Sequence, residues 1–524
     1  MPSGRHWDAV VIGSGFGGST VALKLAEAGM SVLVLERGRW VDRDESAWST
    51  HAIHIDQKYR GQTPFEAHAP GLRGLVYPNH TVGGNSVFYG AVSFRHRADD
   101  FRRRSRFGDA SPERVFVDWP FSYQDLAPYY DQAERLLGVV GVAGVDPTEP
   151  PRDSDYAGAP PPYATPARRV ARAARKLGLR PFPIPLAINS NGGNGRSRCV
   201  RCLTCDLYPC KIGAKNDLCV TVLPEAVRHG AVIADRVTAT ALVRKRGRIT
   251  GVQYLDLDTG ETGTISTALA VVSGGAIGSP RLLLASGLGE VEPNGGLIGR
   301  YLMRHCSGVV AGFFTAITNP ERRFHKQVAI TDFYSGGPNG GGPVGPWGMI
   351  QSLQVPPPEF IKMVMPFPSD LIGTLSHKRN IFLMCLAEDV PQFDNRVTLH
   401  PEKTDLYGQP IAMVRYEHHP DDLARRSALY RVAKRIMRKA GAWAWVHMAT
   451  RSFSHAAGTC RCGTDPAHAV LDPMCRFFGI PNLFVVDASF MPTSGAVNPS
   501  LTIAANGLRV GEYIVAQWTD MPRP

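Results

Sequence analysis

The sequence predicts an α/β fold, α+β over the whole chain, on two observations. Between Asp8 and Arg37 a short apolar run, a glycine turn, a helical stretch and a second apolar run follow one another. Far downstream, stretches such as "NIFLMCLAED" and "NRVTLHP" read as alternating strands of a second, antiparallel or mixed sheet. A length of 524 residues allows two or three domains with a large core.

Asp8 to Ile12 reads as a buried parallel strand. Gly13, Gly15 and Gly18 follow in the pattern G-x-G-x-x-G, with Phe16 and Gly17 between them. Val21, Leu23, Leu25 and Ala26 give the next segment a helical apolar face, and Val32 to Leu35 form a second strand ending at Glu36. This is the Rossmann-like arrangement. Gly13 permits the tight turn, Gly15 lets a pyrophosphate approach the backbone, and Gly18 lets the helix sit close to the sheet. The helix N-terminus then faces phosphate charge. Glu36 can accept from both ribose hydroxyls, whereas a glycine turn alone gives it no task. The unit predicts a dinucleotide, FAD or NAD, and Glu36 argues against a 2′-phosphate.

The net charge of +12 is spread along the chain, with dense clusters only at Arg102-Arg103-Arg104 and from Arg168-Arg169 to Lys176. We read these as a solvated positive face, not a nucleic-acid site. No apolar run approaches the roughly 18 residues of a membrane span, and Met1 to Trp7 is too polar for a signal peptide. The expected location is the cytoplasm, where ten cysteines are mostly thiols. Cys199, Cys202, Cys205 and Cys210 stand as C-x2-C-x2-C-x4-C in "SRCVRCLTCDLYPCKIGAKND". An iron–sulfur or zinc clip, a disulfide pair and free thiols all stay open. The last gap and the proline before Cys210 depart from a ferredoxin run.

Four further stretches carry a resemblance. "GAIGSPRLLLASGLG" (Gly275 to Gly289) is similar to a signature of the glucose–methanol–choline (GMC) flavoprotein oxidoreductases. "VGGNSVFYGAVSFR" (Val82 to Arg95) resembles the family's flavin-contacting loop, and "IGRYLMRH" (Ile298 to His305) its connector out of the flavin domain. "NLFVVDASFMPTSGAVNPSLTIAANGLRVGEYI" (Asn482 to Ile514) resembles its C-terminal active-site segment. Glycines at 83 and 84 leave room against the backbone. Ser279-Pro280 reads as a helix start, Ser as N-cap. Asp487, at a strand end, suits a ribityl hydroxyl.

The resemblance implies FAD, held without a covalent bond, since no histidine follows Gly84 and only His80 lies nearby. It implies oxidation of an alcohol to aldehyde or ketone by hydride transfer to flavin N5, with oxygen or another acceptor reoxidising the flavin. By motif, His455 in "SHAAGTCRCG" is the base and Asn498 in "GAVNPSLTI" holds the substrate oxygen. An imidazole titrates near working pH, and an amide orients without taking a proton. The cofactor set is Gly13, Gly15, Phe16, Gly17, Gly18, Glu36, Arg37, Gly83, Gly84, Asn85, Val237, Gly275, Asp487, Ala488, Asn498, Pro499 and Thr502. No metal is assigned. The flavin domain is expected from residues 1–120, 195–305 and 450–524, and the substrate domain from 121–194 and 306–449. "YSGGPNGGGPVGPWG" reads as an entrance loop or a plain surface loop. Motif style points to a sugar, glycoside or aminoglycoside hydroxyl, with Glu388 and Asp389 read either as acids able to offset a cationic substrate or as ordinary strand-end charges. A sterol, or electron transfer through a cysteine-bound cluster to a partner, are the alternatives.

Overall fold

The computed structural model describes residues 5–108, 116–193, 195–337, 342–343, 345–364, 368, 371, 374–375 and 377–519. Its opening strand, Trp7–Ile12, lies parallel between Val32–Glu36 and the second half of Thr262–Val272. Val232–Asp235 extends the sheet beyond Val32–Glu36, and Leu483–Val485 pairs parallel with Ala270 to Val272. The two neighbours of the opening strand, "VLVLE" and "LAVV", are buried without interruption, as parallel strands covered on both faces require. The first half of Thr262–Val272 pairs instead, antiparallel, with Arg248–Asp256, which pairs with Val237–Lys245.

Phe16–Glu27 is the first crossover helix, and Ser500–Gln517 packs along it. The contact is backbone-close. A Cβ on Gly507 would stand 2.1 Å from Thr20 Oγ1, and one on Gly511 2.7 Å from Lys24 Cβ. Gly507→Ala should therefore force the helices apart and lower stability by about 1–3 kcal/mol, read as a lower urea midpoint. An unchanged midpoint would show that the C-terminal helix shifts freely.

A second sheet runs Ala444–Ala449, Gly308–Phe313, Asn380–Leu386, Met349–Leu353, Val328–Ile330, Phe182–Pro183. Pro420–Lys439 packs on it, with Thr165–Arg175 alongside. A third joins Arg396–Thr404 and Pro410–Arg415 to Phe65–Ala69 and Leu72–Val76. "NIFLMCLAED" and "NRVTLHP" thus belong to different sheets. Asn380–Leu386 is buried almost continuously, without alternation, because it lies between two strands inside its sheet.

Two local readings are corrected. The helix at residue 275 runs Gly275–Ala285 with Gly274 as N-cap, so Ser279 is not the cap and Pro280 lies inside the helix. Proline lacks the N–H that would reach the Ala276 carbonyl, and Thr459 Oγ1 donates to that carbonyl instead, at 2.7 Å. Ser279 Oγ accepts from the Gly274 N–H at 2.9 Å and donates to Asp487. Arg103, read as part of a solvated cluster, is 1% exposed and ion-paired with Asp100 and Glu388, while Arg102 and Arg104 face outward.

Candidate active site

The loops leaving the carboxyl ends of the parallel strands converge. Gly13 has φ +100°, and a Cβ there would stand 2.3 Å from the Ser273 carbonyl oxygen. A Cβ on Gly17 would stand 2.1 Å from the Val486 carbonyl, and one on Gly18 2.0 Å from that of Gly13. These glycines pack the three loops together. Gly15 and Gly275 differ: a Cβ on either meets nothing within 4 Å. That open space, at a helix N-terminus and a switch point of a parallel sheet, fits the pyrophosphate of a dinucleotide. Gly83 caps the turn Gly84–Val87, Asn85 is exposed on it, and a Cβ on Gly84 would lie 3.4 Å from Gly15 Cα.

Glu36 accepts from Ser14 N (3.0 Å), Ser14 Oγ (2.7 Å) and Gly38 N (2.9 Å), and Gly83 N donates to Ser14 Oγ (2.9 Å). Glu36 therefore has a structural task of its own, tying the first loop to the second strand. A carboxylate has about four acceptor sites, which leaves capacity for a ribose hydroxyl. A cavity of about 360 Å³ opens beside it, lined by residues that include Arg37, His80, Thr238 and Tyr407. Val237 is buried at the start of its strand. Asp487 caps Ala488–Phe490 through Ser489 N (2.8 Å), and burial pushes its carboxyl upward. Thr502 is fully buried with its hydroxyl on Tyr130 OH at 2.7 Å, and Pro499 is the N-cap of the last helix.

His455 and Asn498 come together: Asn498 Nδ2 lies 3.4 Å from His455 Nε2. A residue that the sequence reading missed stands on the other side of the ring. His305 Nδ1 is 2.9 Å from His455 Nδ1, and His305 Nε2 is 3.2 Å from the Ser494 carbonyl oxygen. Burial, then His305 and Lys326, push the His455 imidazole well below its ordinary value, and burial also lowers His305. Both rings are neutral at neutral pH.

The loop that presents Asn498 is held residue by residue. Trp119 Nε1 donates to Thr493 Oγ1 (2.7 Å), Ser494 Oγ to Asp389 (2.8 Å), Gly495 N to Glu388 (3.1 Å) and Ala496 N to Tyr334 OH (3.0 Å). Asp389 also accepts from Arg304 N (2.6 Å) and Tyr416 OH (2.8 Å). Glu388 and Asp389 are thus buried scaffold, not acids free to meet a cationic substrate. In the glycine-rich entrance loop, residues 338–341 and 344 lie outside the described residues.

Cys199, Cys202, Cys205 and Cys210 are free thiols, and among the described residues no three His, Cys, Asp or Glu side chains are placed to hold a metal. Lys215 organises this segment. Its Nζ donates to the carbonyls of Tyr89 (3.0 Å), Cys205 (3.0 Å) and Tyr208 (2.7 Å), and its N–H reaches Cys210 Sγ (3.4 Å). Burial raises the Cys199 and Cys205 thiols.

Burial also holds His54, His96, His325 and His418 at about 4. The unfolded chain protonates such rings near pH 6.5, whereas the folded chain does not. The unfolded state then binds more protons below that pH, and stability falls between about pH 6.5 and pH 4. The urea midpoint should be lower at pH 5 than at pH 7.5; equal midpoints would mean that the rings protonate in place.

Residues 8–307 and 391–507 match the N- and C-terminal models of GMC oxidoreductases. The chain is similar to the paromamine 6′-oxidase of Streptomyces fradiae, 34% identical over 97% of this chain and 91% of that protein. It is 31% identical to the 2-methyl-1,2-propanediol dehydrogenase of Mycolicibacterium austroafricanum, over 99% of this chain and 97% of that one. Its fold matches a formate oxidase crystal structure with a TM-score of 0.67 at 16% identity, covering 100% of both chains. With this agreement over nearly its whole length, the chain belongs to the GMC oxidoreductases, FAD-binding enzymes that act on CH–OH groups.

Proposed function

We propose that this enzyme oxidises an uncharged polyhydroxy alcohol, a diol, sugar or glycoside, to the aldehyde or ketone, with His455 as base. The His455–Asn498 pair carries the reading. A substrate hydroxyl between them donates its proton to His455 Nε2, while Asn498 Nδ2 donates to its oxygen. Bound FAD supplies the hydride acceptor. His455 is neutral and only partly buried, as a base that must meet substrate requires. The relatives named for a diol and an aminoglycoside support a polyhydroxy substrate. The net charge of +12, together with the engagement of Glu388 and Asp389 in the scaffold, favours its uncharged members over a polycation.

FAD is held without a covalent bond on this reading, because His80 sits in the cavity beside Glu36, at the ribose end of the cradle. We assign residues 1–120, 195–305 and 450–524 to the flavin domain and 121–194 and 306–449 to the substrate domain, the third sheet spanning both. The cytoplasm is the enzyme's location, a reading supported by ten free thiols. Among the described residues no helix is long and apolar enough to cross a membrane. The test is anaerobic titration of the FAD-loaded enzyme with diols, sugar alcohols, aminoglycosides and cholesterol, following loss of oxidised flavin absorbance. Reduction by diols or sugar alcohols supports the proposal; reduction by cholesterol alone overturns it.

A further inference from the structure

We propose that His305 is a positioning residue that fixes the tautomer of His455, so that the base presents an unprotonated Nε2 to the substrate. This rests on the reading of His455 as base. The register brings the two rings together. Met303 and Ala457 form an antiparallel bridge in which each N–H donates to the other's carbonyl at 2.9 Å. His305 and His455 each lie two residues from this isolated bridge, His455 in a turn, and the ring–ring contact joins them. His305 has φ +64°, a left-handed conformation that a side-chain-bearing residue holds only where its surroundings impose it.

Donor and acceptor then follow in order. A carbonyl oxygen only accepts, so His305 Nε2, facing Ser494 O at 3.2 Å, carries the hydrogen. His305 is neutral, so its Nδ1 is a bare acceptor. His455 Nδ1, at 2.9 Å, must therefore be the donor, and neutral His455 has its lone pair on Nε2. The opposite end agrees. Gln351 Nε2 donates to Asn498 Oδ1 at 3.5 Å, which turns the Asn498 Nδ2 donor toward His455 Nε2. A donor belongs beside a lone pair and would clash with an N–H. Among the described contacts of His455, those with His305 and Asn498 are the ones that hold this tautomer. In the reaction the substrate O–H bond breaks and an Nε2–H bond forms on His455, and bound FAD would accept the hydrogen and electron pair of the C–H bond. The imidazolium so formed keeps its Nδ1–H on His305.

The experiment uses the FAD-loaded enzyme labelled with ¹⁵N-histidine, the His455 signals being assigned by their loss in His455→Gln. Unprotonated Nε2 and protonated Nδ1 are expected; a proton on Nε2 overturns the proposal, and this needs no turnover. His305→Leu removes both hydrogen bonds, whereas His305→Gln can restore an acceptor toward His455 and a donor toward Ser494 O. With retained FAD, His305→Leu should slow flavin reduction by saturating alcohol at least about tenfold with KM changed less than about twofold, and His305→Gln should recover to within about threefold. Equal rates in both variants and the parent overturn the role of His305. Normal flavin reduction in His455→Ala would instead refute the base, leaving the tautomer measurement standing.

Discussion

His455→Ala should slow flavin reduction by saturating alcohol at least about a hundredfold, the scale of losing a general base, while FAD stays bound. Among the described hydrogen bonds of the His455 ring, none goes to the loops at Gly15, Glu36 or Gly275. Its polar neighbours are His305 and Asn498, and the turn that carries it is held by the isolated Met303–Ala457 bridge, which uses backbone only. Truncation should therefore leave the cofactor loops at Gly15, Glu36 and Gly275 in place. Stopped-flow reduction at matched flavin content reads the effect. A rate within about tenfold of the parent would remove His455 as the proton acceptor. With the imidazole neutral at neutral pH, the parent's acidic limb should lie below pH 6.5.

Arg103→Met should lower stability by about 3–5 kcal/mol, the cost of leaving a buried charge without its partner. Arg103 Nη2 pairs with Glu388 at 2.7 Å and with Asp100. Asp100 holds Tyr334 OH at 2.8 Å, and Glu388 and Tyr334 hold the N–H groups of Gly495 and Ala496. The loss is thus transmitted to the loop that presents Asn498, and activity should fall with stability. Burial already pushes the Glu388 carboxyl upward against Arg103. In the variant it rises further, and a group with a raised folded value contributes stability when protonated and loses it as pH rises. The deficit relative to the parent should therefore be smaller at pH 5 than at pH 8. Urea unfolding of both proteins at the two pH values checks this; a deficit below about 1 kcal/mol would make the cluster a surface-grade pair.

The local arrangement of Asp8 to Glu36 is legible because strand, glycine turn and helix are each written in consecutive residues. The start of the last helix is legible at Asn498-Pro499 for the same reason. The neighbours of the first strand are not, since pairing Trp7–Ile12 with Thr262–Val272 joins residues hundreds of positions apart. His305 shows the same limit at the site. It lies in a stretch that reads only as a connector, and the Met303–Ala457 register that makes it a partner of His455 exists only after folding. Arg103 was hidden differently. Its run of three arginines looks like surface charge, although Asp100, one helical turn earlier, is visible in the sequence as a possible partner.

The sheet begun by Trp7–Ile12 and Val32–Glu36 is completed by Leu483–Val485, and Ser500–Gln517 then covers the helix next to it. On the ribosome, at about 5–20 residues per second, the early strands wait on the order of half a minute for the segment that closes them. Through that interval the face of Phe16–Glu27 at Gly17, Thr20 and Lys24, which Gly507 and Gly511 later meet, waits for that partner. The nascent chain can therefore complete its flavin cradle only when synthesis is nearly finished, because Asp487 and Asn498 lie near its end.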